Sequence, residues 1–224
     1  MIRALAVDID GTLTDHKRQI CPASIEAIQS LNVPIVLVTG NTHCFTRTMA
    51  IVLGTPFVFI SENGGVVSHS DNEMEILADL DLCEKAYQEL GKVIKLHRHD
   101  SRYRFTDITL QRDFDVKVAT KQLQAIGLEV ELIDTVFAVH IKDARVNKGT
   151  GLKCVAKRLR IPLEEFAAIG DSNSDIPMFE LVGFRASVGN ASTELKAISD
   201  YVAGDYYGRG FFEIAKHMNE YGML

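Results

Sequence analysis

The stretch Ala4-Leu5-Ala6-Val7-Asp8-Ile9-Asp10-Gly11-Thr12-Leu13-Thr14 decides the fold of this chain. An apolar run ends in two aspartates, a glycine and a threonine, which is typical of a buried strand of a parallel sheet followed by a sharp turn. Functional sites of such sheets lie beyond the carboxyl ends of the strands. Because strand side chains alternate, Asp8 and Asp10 can both face that crevice while Ile9 faces the core. We therefore expect the chemistry of the protein at the end of this strand.

The composition limits the classes of function that need to be considered. With 224 residues, 46% of them hydrophobic and 24% charged, the chain resembles ordinary soluble globular proteins. A net charge of −6 disfavours general binding to nucleic acid. No apolar run approaches the length of a membrane span, and the N-terminus has no signal-peptide pattern. The widely spaced cysteines predict reduced thiols in a cytoplasmic protein rather than a zinc site or a disulfide framework: Cys21, Cys44, Cys83 and Cys154.

Strand and helix signals alternate along the first 65 residues. Apolar spacing predicts helices over Pro22–Leu31 and His43–Leu53, and short apolar runs predict strands over Pro34–Val38 and Phe57–Ile60. Strand, helix, strand, helix, strand with short connections is typical of a doubly wound α/β fold with a parallel sheet. A hairpin around the polar turn Asp71-Asn72 follows.

The pattern changes between about Asp81 and Lys142, where it favours a small α+β insert. The predicted elements are helices over Leu82–Leu90 and Val116–Ile126, a strand over Arg104–Leu110, and strands over Leu128–Ile133 and Val136–Ile141 joined by the two-residue turn Asp134-Thr135. From Gly149 the doubly wound pattern returns. We therefore predict a core domain of residues 1–80 and 148–224, with residues 81–147 inserted as a cap.

Polar residues stand at the ends of three predicted core strands and at the start of one helix. They are Asp8 with Asp10, Thr39 before Gly40 and Asn41, Asp171 with Asp175, and Lys148. Each has an ordinary alternative: a βα turn at Thr39, a solvated surface lysine at Lys148, a helix cap at Asp171. All of them in this order, each at an element boundary, favour a single site.

The chemistry of such a site follows from its charges. Four carboxylates in one pocket would repel a phosphate dianion, and a hard divalent cation such as Mg²⁺ resolves that repulsion. Lys148 would add a point charge for phosphoryl oxygens and Thr39 a hydroxyl donor. Backbone N–H groups after Asp8 and Gly40 can complete the cradle.

The stretch Asp8-Ile9-Asp10-Gly11-Thr12 resembles the first motif of the haloacid dehalogenase (HAD) superfamily of phosphotransferases. Thr39 resembles the second motif of that superfamily, Lys148 the third, and Gly170-Asp171 with Asp175 the fourth. The position of the insert and the stretch Glu62-Asn63-Gly64-Gly65 are similar to the Cof-like branch with a C2-type cap. Within that branch the chain is most similar to the archaeal phosphoglycolate phosphatases. The resemblance implies a Rossmann-like HAD core with an inserted cap.

The resemblance also implies roles for individual residues. Asp8 would be the nucleophile that forms an aspartyl-phosphate, and Asp10 the general acid and base. Mg²⁺ would be held by the Asp8 carboxylate, the Asp10 carbonyl and Asp171, with support from Asp175. The substrate phosphate would be bound by Thr39, Gly40, Asn41 and Lys148. One position departs from the branch, which usually has asparagine where this chain has Ser174.

These features predict a Mg²⁺-dependent phosphomonoester hydrolase acting on a small phosphorylated metabolite, with 2-phosphoglycolate as the first choice. Arginines in the stretch His97–Arg104 could clamp its carboxylate, although an exposed basic loop is the alternative. A sugar-phosphate phosphatase or phosphomutase-like enzyme is the second enzyme hypothesis. A phospho-accepting regulatory module is the hypothesis without enzyme activity. We expect no membrane or nucleic-acid partner, and either a monomer or a homodimer.

Overall fold

The computed structural model describes residues 1–99, 102–135 and 138–224. The strands in chain order are β1 Ala4–Asp8, β2 Ile35–Val38, β3 Phe59–Ser61, β4 Val66–Ser70, β5 Glu73–Ile76, β6 Asp107–Leu110, β7 Val130–Asp134, β8 Val139–Asp143, β9 Phe166–Gly170, β10 Phe184–Ser187 and β11 Tyr201–Val202. The α-helices are α1 Pro22–Ser30, α2 His43–Leu53, α3 Leu80–Gly91, α4 Val116–Ile126, α5 Lys148–Leu159, α6 Ile176–Phe179, α7 Thr193–Ala197 and α8 Tyr207–Glu220.

The larger sheet has eight strands in the order β11-β10-β9-β1-β2-β3-β4-β5. The strands from β11 to β3 are parallel, whereas β4 and β5 form an antiparallel hairpin at one edge. All five residues of β1 are buried, as expected for the central strand of such a sheet. The carboxyl ends of β1, β2 and β9 therefore meet at one edge of the sheet, where α/β folds place their sites.

Helices cover both faces of this sheet. Leu5 and Val7 of β1 pack into a cluster with residues of α1, α2 and α8. Ala4 and Ala6 point to the opposite side, where the cluster includes Leu152 of α5 as well as residues of α6 and α7. The alternation along one strand thus supplies two hydrophobic cores, which confirms the predicted doubly wound α/β fold.

The segment between β5 and α5 forms a separate three-stranded antiparallel sheet in the order β6-β8-β7. Helices α3 and α4 pack on it, and a third hydrophobic cluster joins Cys83 and Leu90 of α3, Leu123 of α4 and Ile141 of β8. The predicted change from a doubly wound to an α+β pattern is confirmed. Across the described residues, every helix is too short or too polar to span a membrane.

Two details of this segment differ from the prediction. Strand β6 begins at Asp107 rather than Arg104. The N–H groups of Phe105 and Thr106 donate to the Glu62 carboxylate and not to the backbone of a neighbouring strand. The expected two-residue turn Asp134-Thr135 is wrong, because Asp134 is still part of β7 and pairs with Val139. The predicted strand residues Val136 and Phe137 lie outside the described residues.

The connection between β3 and β4 packs tightly against the start of α5. Gly64 in this connection has φ +98°, and a Cβ atom there would lie 1.9 Å from the carbonyl oxygen of Asn147. Gly54, which ends α2, also has a positive φ (+68°), but a Cβ atom there would have no neighbour within 4 Å. The same substitution at the two glycines therefore distinguishes backbone strain, which both positions share, from steric overlap, which only Gly64 has.

We expect Gly64→Ala to lower the free energy of unfolding by about 3 kcal/mol, since left-handed strain of about 1–2 kcal/mol adds to overpacking of about 1–3 kcal/mol. Gly54→Ala, the matched control, carries the backbone strain alone and should cost about 1–2 kcal/mol. Urea unfolding of the two variants measures the difference. Equal losses would show that the packing of Gly64 against Asn147 adds nothing to stability.

Candidate active site

The centre of the site is a buried lysine held between two carboxylates. Lys148 Nζ donates to Oδ1 of Asp8 at 2.7 Å and to Oδ1 of Asp175 at 2.6 Å. The three side chains are 3%, 6% and 0% exposed. Asp8 ends β1, Asp175 lies in the turn after β9, and Lys148 is the first residue of α5. The structure thus brings together three residues that the sequence had placed at separate element boundaries.

The start of α5 is fixed by its own first turn, and this fixes Lys148. The Asn147 side chain accepts the N–H of Thr150, and the Thr150 hydroxyl accepts the N–H of Asn147. This reciprocal cap satisfies two of the backbone donors that a helix start leaves without partners. Lys148 is therefore held by a rigid helix end rather than by a mobile loop.

The pKa values of the site reflect burial and mutual repulsion. Burial raises the pKa of Asp8 well above its ordinary value, and the nearby Lys148 ammonium only partly offsets this. Burial and the Asp175 carboxylate raise the pKa of Asp171 to about 7. Burial opposes the charge on Lys148, but Asp175 and Asp8 outweigh it, so the pKa of Lys148 lies above its ordinary value. One ammonium therefore faces more acidic groups than it can neutralise.

The same acidic groups could hold a cation. Carboxylate oxygens of Asp8, Asp171 and Asp175 lie within 4.8 Å of one another. Asp8 Oδ2 is buried and has no hydrogen-bond partner in the described part of the chain. An unsatisfied buried carboxylate oxygen beside two further carboxylates fits a hard divalent cation such as Mg²⁺, which prefers oxygen ligands. Asp175 also accepts the N–H groups of Asp171 and Ser172 through Oδ2, so it orients this loop as well.

Asp10 lies in a different environment from Asp8. Its side chain is 35% exposed, and Oδ1 accepts Arg18 Nε at 3.0 Å. Oδ2 accepts the Asn41 side-chain amide and, at 3.5 Å, the Thr39 hydroxyl. The two aspartates of the opening stretch thus separate into a buried carboxylate beside Lys148 and a partly exposed carboxylate at the rim.

The loop after β2 supports Asp10 as well as offering groups to a ligand. Thr39 is buried, and its Oγ1 accepts the N–H and the side-chain amide of Asn41 at 3.1 and 3.2 Å. The carbonyl oxygen of Gly40 accepts Nη2 of Arg104 at 3.2 Å. The predicted residues Thr39, Gly40 and Asn41 therefore lie beside Asp10, with part of their hydrogen-bonding capacity used within the protein.

Sequence reasoning missed Arg18, which also donates to Asn41 Oδ1 at 2.8 Å. Arg18 lies in a polar loop after β1 without a recognisable motif, and the chain reversal marked by the hydrogen bond from Asp15 N to the Gln19 carbonyl brings it back to Asp10. Glu62 was missed as a contact with the insert: its Oε2 accepts the N–H and hydroxyl of Thr106 at 3.0 and 2.8 Å. Neither contact has a sequence signal beyond the residue type.

A cleft of about 330 Å³ adjoins Lys148. Glu131 and Lys142 of the insert line one side, and Lys142 Nζ donates to Glu131 Oε1 at 2.5 Å. On the core side the cleft is lined by Asn63, Asn147, Asn173 and Ser174. The hydroxyl of Ser174, the position that departs from the Cof-like pattern, bonds to the hydroxyl of Ser172 at 2.9 Å.

The basic stretch His97–Arg104 is only partly directed at the site. His97 pairs with Asp113, and Arg98 pairs with Glu84 of α3 at 2.7 Å. Arg104, 13% exposed, instead donates to Asp107 at 2.8 Å and reaches the loop after β2 through its bond to Gly40. Asp100 and Ser101 of the same stretch lie outside the described residues.

Comparison with known proteins relates this geometry to a family. Haloacid dehalogenase-like hydrolases match the chain over residues 5–126 and 132–214. A curated protein of Methanothrix thermoacetophila named phosphoglycolate phosphatase is 51% identical over 224 residues, 100% of both chains. One of the same name from Archaeoglobus fulgidus is 43% identical over 94% of each chain. A crystal structure of a Thermoplasma acidophilum protein superposes with a TM-score of 0.89 at 27% identity, covering 100% of both chains.

The matched ranges include the residues at the centre of the site, Asp8, Lys148 and Asp175. A match to hydrolases over nearly the whole chain also argues against the phospho-accepting regulatory module, which was the hypothesis without enzyme activity. The chain belongs to the haloacid dehalogenase-like hydrolase family.

Proposed function

We propose that this hydrolase is a Mg²⁺-dependent phosphatase that converts 2-phosphoglycolate and water to glycolate and phosphate through an aspartyl-phosphate on Asp8. The phosphatase class follows from the family and from the names of relatives up to 51% identical to this chain. One observation carries the mechanism: Lys148 binds Oδ1 of Asp8, while Oδ2 of Asp8 is buried without a partner in the described chain.

Asp8 is suited to act as the nucleophile. Its Oδ1 is held by Lys148, which fixes the orientation of the carboxylate, and the remaining lone pairs of the carboxylate stay available for attack on phosphorus and for the cation. Attack forms the Asp8–phosphate bond and breaks the bond between phosphorus and the alcohol oxygen. Mg²⁺ held by Asp8, the Asp10 carbonyl and Asp171, with support from Asp175, would neutralise the phosphoryl and carboxylate oxygens.

Asp10 is suited to move the protons of both steps. Its partly exposed position at the rim lets it exchange protons with solvent, whereas Arg18 and Asn41 fix its direction. In the first step Asp10 gives a proton to the departing alcohol oxygen. In the second step the Asp10 carboxylate takes a proton from the water that attacks phosphorus. The bond between Asp8 and phosphorus breaks and phosphate leaves, so Asp8 is again a carboxylate and Asp10 again an acid.

Lys148 and the loop after β2 are proposed to bind the transferred phosphoryl group. Lys148 offers a buried charge beside the nucleophile, and an ammonium has three N–H donors, of which Asp8 and Asp175 occupy two. The Thr39 hydroxyl and the backbone around Gly40 and Asn41 lie on the Asp10 side of the crevice. The phosphoryl group would therefore lie between a fixed cation and neutral donors.

We propose that residues 81–147 act as a cap that selects the substrate through its cations. Arg104 uses two of the five N–H groups of its guanidinium on Asp107 and Gly40, which leaves donors for a ligand at this loop. Lys142 adds a second cation beside the cleft that adjoins Lys148. A planar guanidinium fork suits a carboxylate, and 2-phosphoglycolate carries one next to its phosphate ester. The names of the curated relatives support the same substrate.

We expect Asp8→Asn to lower kcat for 2-phosphoglycolate by about 10⁴-fold or more, because loss of a nucleophile removes the covalent route. Asp10→Asn should lower kcat by about 10²- to 10⁴-fold, the usual worth of a general acid–base group. The exposed Asp81→Asn on α3 is the control and should leave kcat unchanged. Phosphate release from a panel including sugar phosphates checks all three. Turnover that survives in Asp8→Asn would refute the aspartyl-phosphate, and a sugar phosphate ranked first would refute the substrate.

Mg²⁺ should raise the melting temperature of the substrate-free protein. Binding to the folded state alone stabilises by about 2.7 kcal/mol at 100 times the dissociation constant. Asp171→Asn removes one carboxylate of the acidic group and should abolish most of the shift, whereas Asp81→Asn should retain it. Thermal unfolding with and without MgCl₂ gives the result without any assay of activity. An equal shift in wild type and Asp171→Asn would place the ion elsewhere.

Arg104→Gln should reduce kcat/KM for 2-phosphoglycolate by about 10- to 100-fold relative to ethyl phosphate, which lacks the carboxylate. The magnitude corresponds to loss of a hydrogen bond between charged groups, about 1.5–3 kcal/mol. Arg98→Gln is the matched control in the same basic stretch, because Arg98 pairs with Glu84 of α3. Steady-state kinetics with both esters measures the ratio. If both substrates lose the same factor, Arg104 is structural and does not select the carboxylate.

A further inference from the structure

A second group of metal-ligating side chains lies at the hairpin edge of the larger sheet. The hairpin cluster, defined here as His69 of β4, Glu75 of β5 and Cys154 of α5, brings one nitrogen, one oxygen and one sulfur atom together. Glu75 Oε2 is 3.1 Å from His69 Nε2 and 3.3 Å from Cys154 Sγ, and these last two atoms are 4.0 Å apart. We propose that the hairpin cluster binds a transition-metal ion of the Zn²⁺ or Co²⁺ type.

The distances fit the proposed ion. Bonds of about 2.0–2.1 Å to nitrogen and oxygen and about 2.3 Å to sulfur place tetrahedral ligands about 3.3–3.7 Å apart. The three observed separations of 3.1, 3.3 and 4.0 Å bracket this range. Side-chain shifts of a few tenths of an ångström would complete three corners of a tetrahedron.

The local structure explains how the three side chains meet. The register pairs Val67 with Glu75 and Ser70 with Glu73, with an irregularity between Ser68 and Ser70, so His69 is the additional residue of a bulge. Bulges often redirect a side chain. Val67 shares a hydrophobic cluster with Val155 of α5, so the face of the hairpin that carries Glu75 packs on the helix that carries Cys154.

The donor set selects the class of metal. Imidazole, thiolate and carboxylate suit Zn²⁺ and Co²⁺, whereas Mg²⁺ prefers oxygen ligands alone. In the chain as described the Cys154 thiol donates to Glu75, so binding of an ion would release the thiol proton to solvent. Three protein ligands leave the fourth position for water. The site is open on one side, because the Glu75 side chain is 53% exposed while that of His69 is 8% exposed.

The ion would have a structural consequence. It would join both strands of the β4–β5 hairpin to α5, the helix that begins at Lys148. His69 Nδ1 is buried without a hydrogen-bond partner in the described part of the chain. The ring is therefore oriented through its other nitrogen, Nε2, which bonds to Glu75 within the cluster. A bound ion would fix the ring and the hairpin edge together.

Titration of the reduced protein with Co²⁺ tests the proposal, because only a cysteine ligand produces a sulfur-to-cobalt charge-transfer absorption in the near ultraviolet. The carboxylates around Asp8 contain no sulfur, so Co²⁺ bound there does not contribute to this band. We expect the band to develop with added Co²⁺ and to saturate in wild type, and to be absent in Cys154→Ser. Cys44→Ser, which removes an exposed cysteine elsewhere, should keep it.

Two further variants test the other two proposed ligands. Glu75→Gln and His69→Asn should weaken Co²⁺ binding by at least tenfold, since loss of even an outer-shell partner costs about 10- to 100-fold. Glu73→Gln on the same strand is the matched control and should bind as wild type does. Circular dichroism verifies that each variant is folded. No band in wild type with excess Co²⁺, or a band that persists in Cys154→Ser, would overturn the proposal.

Discussion

The structure depends on the burial of the Lys148 ammonium between Asp8 and Asp175. Removing one partner of a buried ion pair typically costs about 3–5 kcal/mol, because the remaining charge is left without compensation. Both carboxylates must therefore reach the same point, which requires β1 and β9 to be adjacent and in register, with Ala4 opposite Phe166. The pairing of Lys148 with both carboxylates therefore requires this order of the central strands.

The side of the crevice that faces the insert is held by another kind of interaction. Glu62 accepts hydrogen bonds from Phe105 and Thr106, and Arg104 spans from Asp107 to the carbonyl of Gly40. These contacts join the insert to the loops after β2 and β3 through polar groups. The core half of the site is thus assembled around a buried charge, whereas the insert meets it through a few directional hydrogen bonds.

The sequence predicts what depends on local pattern and misses what depends on loop geometry. Apolar runs that end in Asp8, Thr39 and Asp171 identify the parallel strands, and the structure confirms the doubly wound sheet. The roles of the site residues stay predictions. Arg18 and Glu62 could not be found, because no period or spacing encodes contacts made across loops. The wide spacing of the cysteines predicted that no zinc site is present. Spacing along the chain could not reveal the cluster at Cys154, because its neighbours His69 and Glu75 come from a bulged hairpin that is distant in sequence.

Helix α5 links the two places where charged groups converge. Lys148 stands at its first position and Cys154 six residues later, about 9 Å along the axis at 1.5 Å per residue. The first turn of this helix is capped by Asn147 and Thr150, so both places are attached to one regular helix with a fixed start. Gly64, in the connection between β3 and β4, also packs closely against Asn147, the residue before Lys148. The edge hairpin, although remote from Lys148 in sequence, therefore packs on the same helix that carries the ammonium to its carboxylates.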